Sequence, residues 1–292
     1  MPNLKEVKER IGSVQSTIQI TSAMKMVSAA KLRKAQDAIV QMRPYAEKLQ
    51  EIISNVSSSL DASEGVYSIE REVKNVLIFS ISSNRGLCGP FNANIVKKTK
   101  AIIKENQGNN ITVLAAGKKV EEAFKGTEYA IKGVGLPKHL NELFDDLTYD
   151  NVSKAAEKVM KAFVNKQFDK VYLVYNKFKN AAVQEIMAEQ FLPAVPEQTE
   201  DLNNFSSDYI FEPEKDQIVE ELIPKSLRTQ FYKAFLDSHA AEHGARMTAM
   251  HKATDNASEL LGDLKLTYNK ARQAAITNEI LEIVGGAEAL NA

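Results

Sequence analysis

Cysteine, tryptophan, net charge and long apolar runs are scarce or missing in this sequence. Its one cysteine, Cys88, leaves no partner for an internal disulfide and suits a reducing compartment. The formal net charge of -1 at pH 7 excludes a general electrostatic attraction to nucleic acid or acidic lipid, so any electrostatic function must be local. No apolar run approaches the ~20 residues of a membrane-spanning helix. The 292 residues are 44% hydrophobic and 26% charged, which is typical of a globular chain of one or two domains.

The first sixty residues carry an uninterrupted hydrophobic repeat with alternating steps of three and four. Eight heptads follow one another, and only Thr21, Lys25 and Ser28 among the repeat positions are polar. A repeat of this length predicts a coiled-coil helix, roughly 85 Å long at 1.5 Å per residue, with a local bend at Pro44. We call its positions the N-terminal seam: Leu4, Val7, Ile11, Val14, Ile18, Thr21, Lys25, Ser28, Leu32, Ala35, Ile39, Met42, Ala46, Leu49, Ile53, Val56 and Leu60.

A weaker repeat with the same spacing lies near the other end of the chain. It predicts a second long helix from about Glu214 to Leu290, with a short lead-in helix divided off at Pro224 and a C-cap at Gly285-Gly286. The two helices are separated by other elements, so the simplest arrangement is an antiparallel coiled coil. The C-terminal seam consists of Leu236, Ala240, His243, Met247, Met250, Thr254, Ala257, Leu261, Leu264, Tyr268, Ala271 and Ala275.

The middle of the chain alternates between strand-like and helix-like stretches. Strands are predicted at 75–82, 111–116 and 170–176, and helices at 118–125 and 149–166, with a further helix through Ile95, Ile102 and Ile103. This alternation predicts an α/β fold class, with a small Rossmann-like α/β domain built on a mainly parallel sheet. The predicted domains are therefore 1–62 (N-terminal coiled-coil helix), 73–212 (α/β domain) and 213–292 (C-terminal coiled-coil helix).

Two glycine-rich turns of the α/β domain do not match a nucleotide-binding motif. Residues 85–90 read RGLCGP and residues 133–138 read GVGLPK, whereas a phosphate loop requires GxxxxGK[ST] and a dinucleotide fold GxGxxG. Pro90 also removes a backbone amide where a phosphate would need one. We therefore expect no nucleotide cofactor here, and we interpret Cys88 as a buried turn thiol.

One short pattern does resemble a hydrolytic metal site. His239-Ala240-Ala241-Glu242-His243 matches HxxEH, in which two imidazoles one helical turn apart could bind zinc and Glu242 could act as a base. A catalytic zinc needs a third ligand, and the remaining histidines are His139 and His251. The alternative interpretation places His243 on the C-terminal seam, so a zinc hydrolase stays open as a second function class.

Around Lys25 the apolar residues leave the seam and nearly encircle the helix. This collar consists of Ile20, Ala23, Met24, Met26, Val27, Ala29 and Ala30. The segment is also basic, because Asp37 is the one acidic residue between Ile20 and Arg43. The basic residues there are Lys25, Lys31, Arg33, Lys34 and Arg43. An apolar collar beside this basic band predicts burial inside a larger assembly and contact with an acidic partner.

Several stretches, in order along the chain, resemble the gamma subunit of F-type ATP synthases. They are ITSAMKMVSAAKLRKAQ at 20–36, RPYAE at 43–47, SSNRGLCGPFN at 82–92, EHGARMTAMHKATDNA at 242–257, and Ile276-Thr277-Asn278-Glu279 with Glu282 and Gly286-Ala287. Residues of roughly 95–210 resemble that family mainly in their α/β layout. Asn84 departs from the family, which often has Asp there. No insertion with a cysteine pair is present, so the thiol switch of the chloroplast relatives is not expected.

The resemblance implies a central rotor shaft with no catalytic site and no cofactor or metal of its own. The shaft would couple proton flow to conformational cycling of catalytic beta subunits. Implied partners are the alpha and beta subunits, the epsilon subunit and the ring of c subunits, with no nucleic acid. Association with the cytoplasmic side of the inner membrane would be peripheral, through the c ring. A free-standing coiled-coil adaptor is the alternative that the repeats alone would allow.

The resemblance also implies which residues contact partners. In the family, the collar, the basic band and the C-terminal helix face the ring of alpha and beta subunits, or brace the coil. The residues expected to do so here are Met24, Lys25, Arg33, Arg246, Arg272, Gln273, Thr277 and Glu279.

Overall fold

The computed structural model describes residues 4–57, 66–131, 135–194 and 215–291. Along the chain, one long helix precedes an α/β region and another follows it. They are α1 (Leu4–Ser57) and α5 (Lys215–Asn291). Between them lie β1 (Asn75–Ile81), α2 (Phe91–Glu105), β2 (Asn110–Ala116), α3 (Lys118–Phe124), a 3₁₀ turn (Asn141–Phe144), α4 (Tyr149–Val164), β3 (Lys170–Phe178) and β4 (Gln184–Leu192).

Every seam position of α1 from Leu4 to Leu49 is buried or half-buried, as the repeat predicts. The side chains of Ile53 and Val56 and the whole of Leu60 lie outside the described residues. The C-terminal seam is likewise buried or half-buried throughout. The 3-4 repeat therefore identified the packed face of both helices.

Two predicted interruptions of α5 are wrong. Pro224 lies inside the helix, because Ile223, Leu227 and Phe231 pack onto the sheet core on both sides of it and outweigh the missing hydrogen bond. Helix α5 also continues through Gly285-Gly286. Neither glycine adopts the positive φ of an αL cap, so nothing ends the helix there. Helix α1 runs through Pro44.

The described residues fall into two compact units. The first contains Met1–Ser28 and Arg246–Ala292 and is an antiparallel helix pair. Thr254 Oγ1 donates to Thr21 Oγ1 across the pair at 2.8 Å. Seven residues before Thr21 and seven residues after Thr254, this register places Val14 opposite Leu261. Both are half-buried seam positions. The antiparallel coil predicted from the two repeats is thus confirmed.

The second unit, Ala29–Ala245, contains the sheet. Its strand order is β2-β1-β3-β4; β1 is parallel to β2 and to β3, whereas β3 and β4 are antiparallel. The mainly parallel sheet is confirmed. Strand β4 and the 3₁₀ turn were not predicted from the sequence.

Alternation along β1 distributes the core between the two faces of the sheet. Leu77, Phe79 and Ile81 face α4 and α5, whereas Val76 and Ile78 face α2 and α3. Phe79 contacts Phe231 of α5 with ring centroids 4.7 Å apart. Part of the long helix α5 is therefore a core element of the α/β region.

Candidate functional site

The carboxyl-terminal end of α5 presents apolar side chains to solvent. By the register of the Thr21–Thr254 contact, Leu4 lies at the level of Ala271, so no described residue of α1 lies opposite the later turns of α5. Side chains beyond this level are between 46% and 71% exposed: Ile276, Ile280, Leu281, Ile283 and Val284. A contiguous exposed apolar surface of this kind is typical of a contact with another molecule.

Four predicted partner-contact residues lie on the same segment. Arg272, Gln273, Thr277 and Glu279 are all exposed. The Thr277 hydroxyl donates to the Gln273 carbonyl at 2.9 Å, a bond within the helix. The structure therefore places these polar side chains among the apolar ones, available to a partner.

The collar on α1 is a second exposed apolar surface. Ile20, Met26 and Val27 are 60%, 65% and 57% exposed, whereas Met24 and Lys25 are half-buried. Arg33, two turns further along the helix, is exposed. The sequence predicts burial of the collar inside a larger assembly, and the described residues of this chain leave these three apolar side chains exposed.

Arg246 differs from the other predicted contact residues. It is only 6% exposed. A side chain buried this deeply offers little surface to a partner. Its burial was not evident from the sequence, because arginine is almost never fully buried unless paired.

The carboxyl ends of β1 and β2 meet at the edge of the sheet where α/β proteins commonly bind ligands. Here protein side chains occupy that edge. Asn92 accepts from the backbone amide of Ser83 at 3.0 Å, and Asn141 accepts from the amide of Gly117 at 2.9 Å. The Ser82 hydroxyl accepts from the amide of Val120, in the first turn of α3, at 3.0 Å.

Asn84 completes this network by linking two loops. It donates to the Asn141 carbonyl at 2.9 Å and accepts from the amide of Lys118 at 3.2 Å. The backbone amides of Gly117, Lys118 and Val120, at the start of α3, are the groups that a phosphate would need. Because they already bind side chains, the edge gives no support to a nucleotide site and serves to fix the loops.

The same turn anchors α5 to the α/β region. Cys88 and Phe91 pack with Ala241, Ala245 and Phe178 in a small apolar cluster. Cys88 is 1% exposed and accepts a hydrogen bond from Asn92 at 3.1 Å, as the interpretation of a buried turn thiol predicts.

A glycine of α5 lies against the β3–β4 hairpin beside that cluster. A Cβ added to Gly244 would lie 3.2 Å from the Cα of Ala181, so a small residue is needed for the helix to approach the hairpin. The turn and the hairpin thus both pack against α5.

The two histidines of the HxxEH pattern contact each other. His239 Nε2 and His243 Nε2 lie 3.1 Å apart, so one imidazole donates and the other accepts. Within the described ranges, no three His, Cys, Asp or Glu side chains are grouped so that they could hold a metal ion. His243 is buried on the C-terminal seam, where the coiled-coil interpretation places it.

None of the helices in the described part of the chain combines the length and the apolarity that crossing a bilayer requires.

Comparison with known proteins identifies the family. A family model described as ATP synthase matches residues 3–290. The chain is 58% identical to the ATP synthase gamma chain of Flavobacterium johnsoniae over 292 residues, covering 100% of both chains. It is also 58% identical to that of Christiangramia forsetii over 293 residues, again with 100% of both covered.

Solved structures share the fold. A chain in the mitochondrial ATP synthase of Euglena gracilis, in an assembly of OSCP, F1 and c ring, gives a TM-score of 0.66 at 21% identity, with 98% of this chain and 94% of that chain covered. A chain of the rotor from the same organism gives 0.64 at 22% identity, with 94% and 98% covered. With full-length relatives at 58% identity and a family match over 3–290, the chain belongs to the ATP synthase gamma chain family.

Proposed function

We propose that this chain is the central rotor shaft of a bacterial F-type ATP synthase. The antiparallel pair of α1 and α5 turns within a ring of alpha and beta subunits, while the α/β region meets the epsilon subunit and the c ring. Proton flow through the c ring turns the shaft and drives the beta subunits through their conformations. The chain is then a peripheral membrane subunit on the cytoplasmic side of the inner membrane.

The observation that carries this proposal is the pair of exposed apolar surfaces on the first unit. The collar residues Ile20, Met26 and Val27 and the end of α5 are exposed on long helices whose other faces are packed. An apolar surface can turn inside an apolar sleeve without leaving charges desolvated and unpaired. The basic side chains at Lys31, Arg33 and Lys34 suit an acidic partner surface beside the collar.

Such a shaft needs no catalytic residue. Each shaft angle favours one set of conformations of the nucleotide sites, and occupancy of those sites favours one angle, which is a reciprocal coupling free energy. Met24, Lys25, Arg33, Arg272, Gln273, Thr277 and Glu279 are the proposed contacts with the ring, and Arg246 braces the coil. The backbone amides at the edge of the sheet already donate to protein side chains, which supports a structural, non-catalytic role for the α/β region.

The test is co-purification of a tagged full-length chain with matched surface variants. The native chain should co-purify with alpha and beta subunits, and Val27→Asp should weaken this association by placing a charge on the collar. Val66→Asp is the control, because Val66 is 53% exposed, close to the 57% of Val27, but lies in the segment between α1 and β1. The control should bind alpha and beta normally.

Other outcomes of this test would overturn the proposal. A free-standing adaptor would be recovered without alpha and beta subunits, and a zinc hydrolase would be recovered with stoichiometric metal. Equal binding by the two variants would remove the collar from the interface.

A further inference from the structure

Asp237 is a buried carboxylate at the interface between α5 and the sheet. Its residue is 6% exposed. Charged groups on four elements lie near enough to act on it electrostatically: Lys233 on α5, Lys177 on β3, Arg43 on α1 and Glu189 on β4. None of the ion pairs found among the described residues includes Asp237. Asp237 is therefore largely buried, and its carboxylate forms no direct ion pair within the described part of the chain.

The neighbouring carboxylate is arranged differently. Glu189 accepts from the Tyr175 hydroxyl at 2.8 Å and from the Gln230 side-chain amide at 3.4 Å. Burial and the nearby Glu189 and Asp237 raise the pKa of Tyr175, so its hydroxyl stays a donor at physiological pH. Glu189 thus has two fixed donors, whereas the charge of Asp237 is opposed mainly by its burial.

We propose that Asp237 is a proton-binding site, and that its protonation stabilises the docking of α5 against the β3–β4 part of the sheet. The ionised carboxylate loses hydration when α5 docks, and the three cations compensate only in part. The neutral carboxyl group carries a much smaller desolvation penalty. Proton uptake therefore tightens the docking of α5, and proton release loosens it.

The pH range follows from the direction of the shift. Burial raises the pKa of Asp237 from 3.8 to about 6, against the opposing effects of Lys233, Lys177 and Arg43. A raised pKa means that the folded state binds the proton more tightly than the unfolded state. The resulting stabilisation is complete below pH 3.8 and is lost as the pH rises through about 6. Between pH 8 and pH 5, the opening equilibrium of this interface should change by about tenfold.

Hydrogen exchange of the full chain measures this equilibrium. We expect protection of β3, β4 and the 227–243 segment of α5, corrected for intrinsic exchange rates, to rise about tenfold from pH 8 to pH 5. Asp237→Asn should give the higher protection at every pH and remove the dependence. Asp263→Asn, an exposed carboxylate on the same helix, should behave as the native chain.

Two further variants predict shifts of opposite sign. Lys177 lowers and Glu189 raises the pKa of Asp237. Lys177→Met should therefore move the midpoint to higher pH, and Glu189→Gln should move it to lower pH while keeping an acceptor for Tyr175. A native pH profile in Asp237→Asn, or midpoints that do not move in these directions, would overturn the proposal. Because exchange is measured on the chain alone, the result does not depend on its role as a rotor.

Discussion

Individual residues at the ends of the strands determine how the loops pack, and the sequence signals only some of them. SSNRGLCGPFN is visible as a glycine-rich turn between a strand and a helix, because glycine and proline act on local backbone conformation. The role of Asn141 is not visible, since it binds the amide of Gly117 from 24 residues away. Such contacts depend on the tertiary fold. The same holds for Asp237, because its raised pKa results mainly from its burial in the folded chain.

Gly117 gives a residue-scale prediction with a matched control. Its φ is 107°, and an added Cβ would overlap the carbonyl oxygen of Ser82. Gly108 has φ 106° but open space at the Cβ position. Gly108→Ala should lower the free energy of unfolding by about 1–2 kcal/mol through backbone strain alone, and Gly117→Ala by about 4 kcal/mol. Chemical denaturation followed by circular dichroism compares them; equal losses would show that Ser82 moves away at no penalty.

Secondary-structure elements were predicted best where their pattern is local. The 3-4 repeat identified the buried faces of both long helices, and apolar β-branched runs identified β1, β2 and β3. Strand β4 was missed because QEIMAEQFL shows no clean alternation, in keeping with an edge strand whose side chains are mostly half-buried. The continuation of α5 through Pro224 was missed because core packing around Ile223 and Leu227, not local propensity, holds it.

The seam allows a prediction at the scale of elements. Val7 is 5% exposed in the helix pair, whereas Gln15 on the same helix is exposed. Val7→Asp places an unpaired charge in the seam and should destabilise the pair by about 3 kcal/mol. Gln15→Asp introduces the same side chain outside the seam and should change stability by less than about 0.5 kcal/mol. Hydrogen exchange of residues 4–21 and 254–271 reports the difference, and equal protection in both variants would contradict the seam.

For the whole molecule, the distribution of exposed apolar surface matters more than any single site. The α/β region buries its apolar core, whereas apolar side chains of the collar and of the end of α5 stay exposed among the described residues. The sequence indicated both surfaces by their composition, but only the structure shows that no other part of the described chain covers them. Two roles are then separable on α5: an apolar bearing, and polar contacts made at particular shaft angles.

The final prediction separates these roles in the assembled complex. Truncation after Glu282 removes Ile283 and Val284, which are 71% and 51% exposed in the chain and would each contribute roughly 2 kcal/mol when buried by a partner. It leaves Arg272 and Gln273 in place. We expect a lower yield of assembled complex, with a normal ATPase rate per complex that does form.

Replacing both Arg272 and Gln273 by alanine should do the reverse. The apolar surface then remains, so the yield should be native, but hydrogen bonds made only at some shaft angles are lost and turnover should fall. Subunit yield and ATPase rate per assembled complex are measured for both variants side by side. If the truncated chain assembles fully but cannot turn over, and the double alanine variant is unaffected, then the apolar end transmits torque and the polar pair does not.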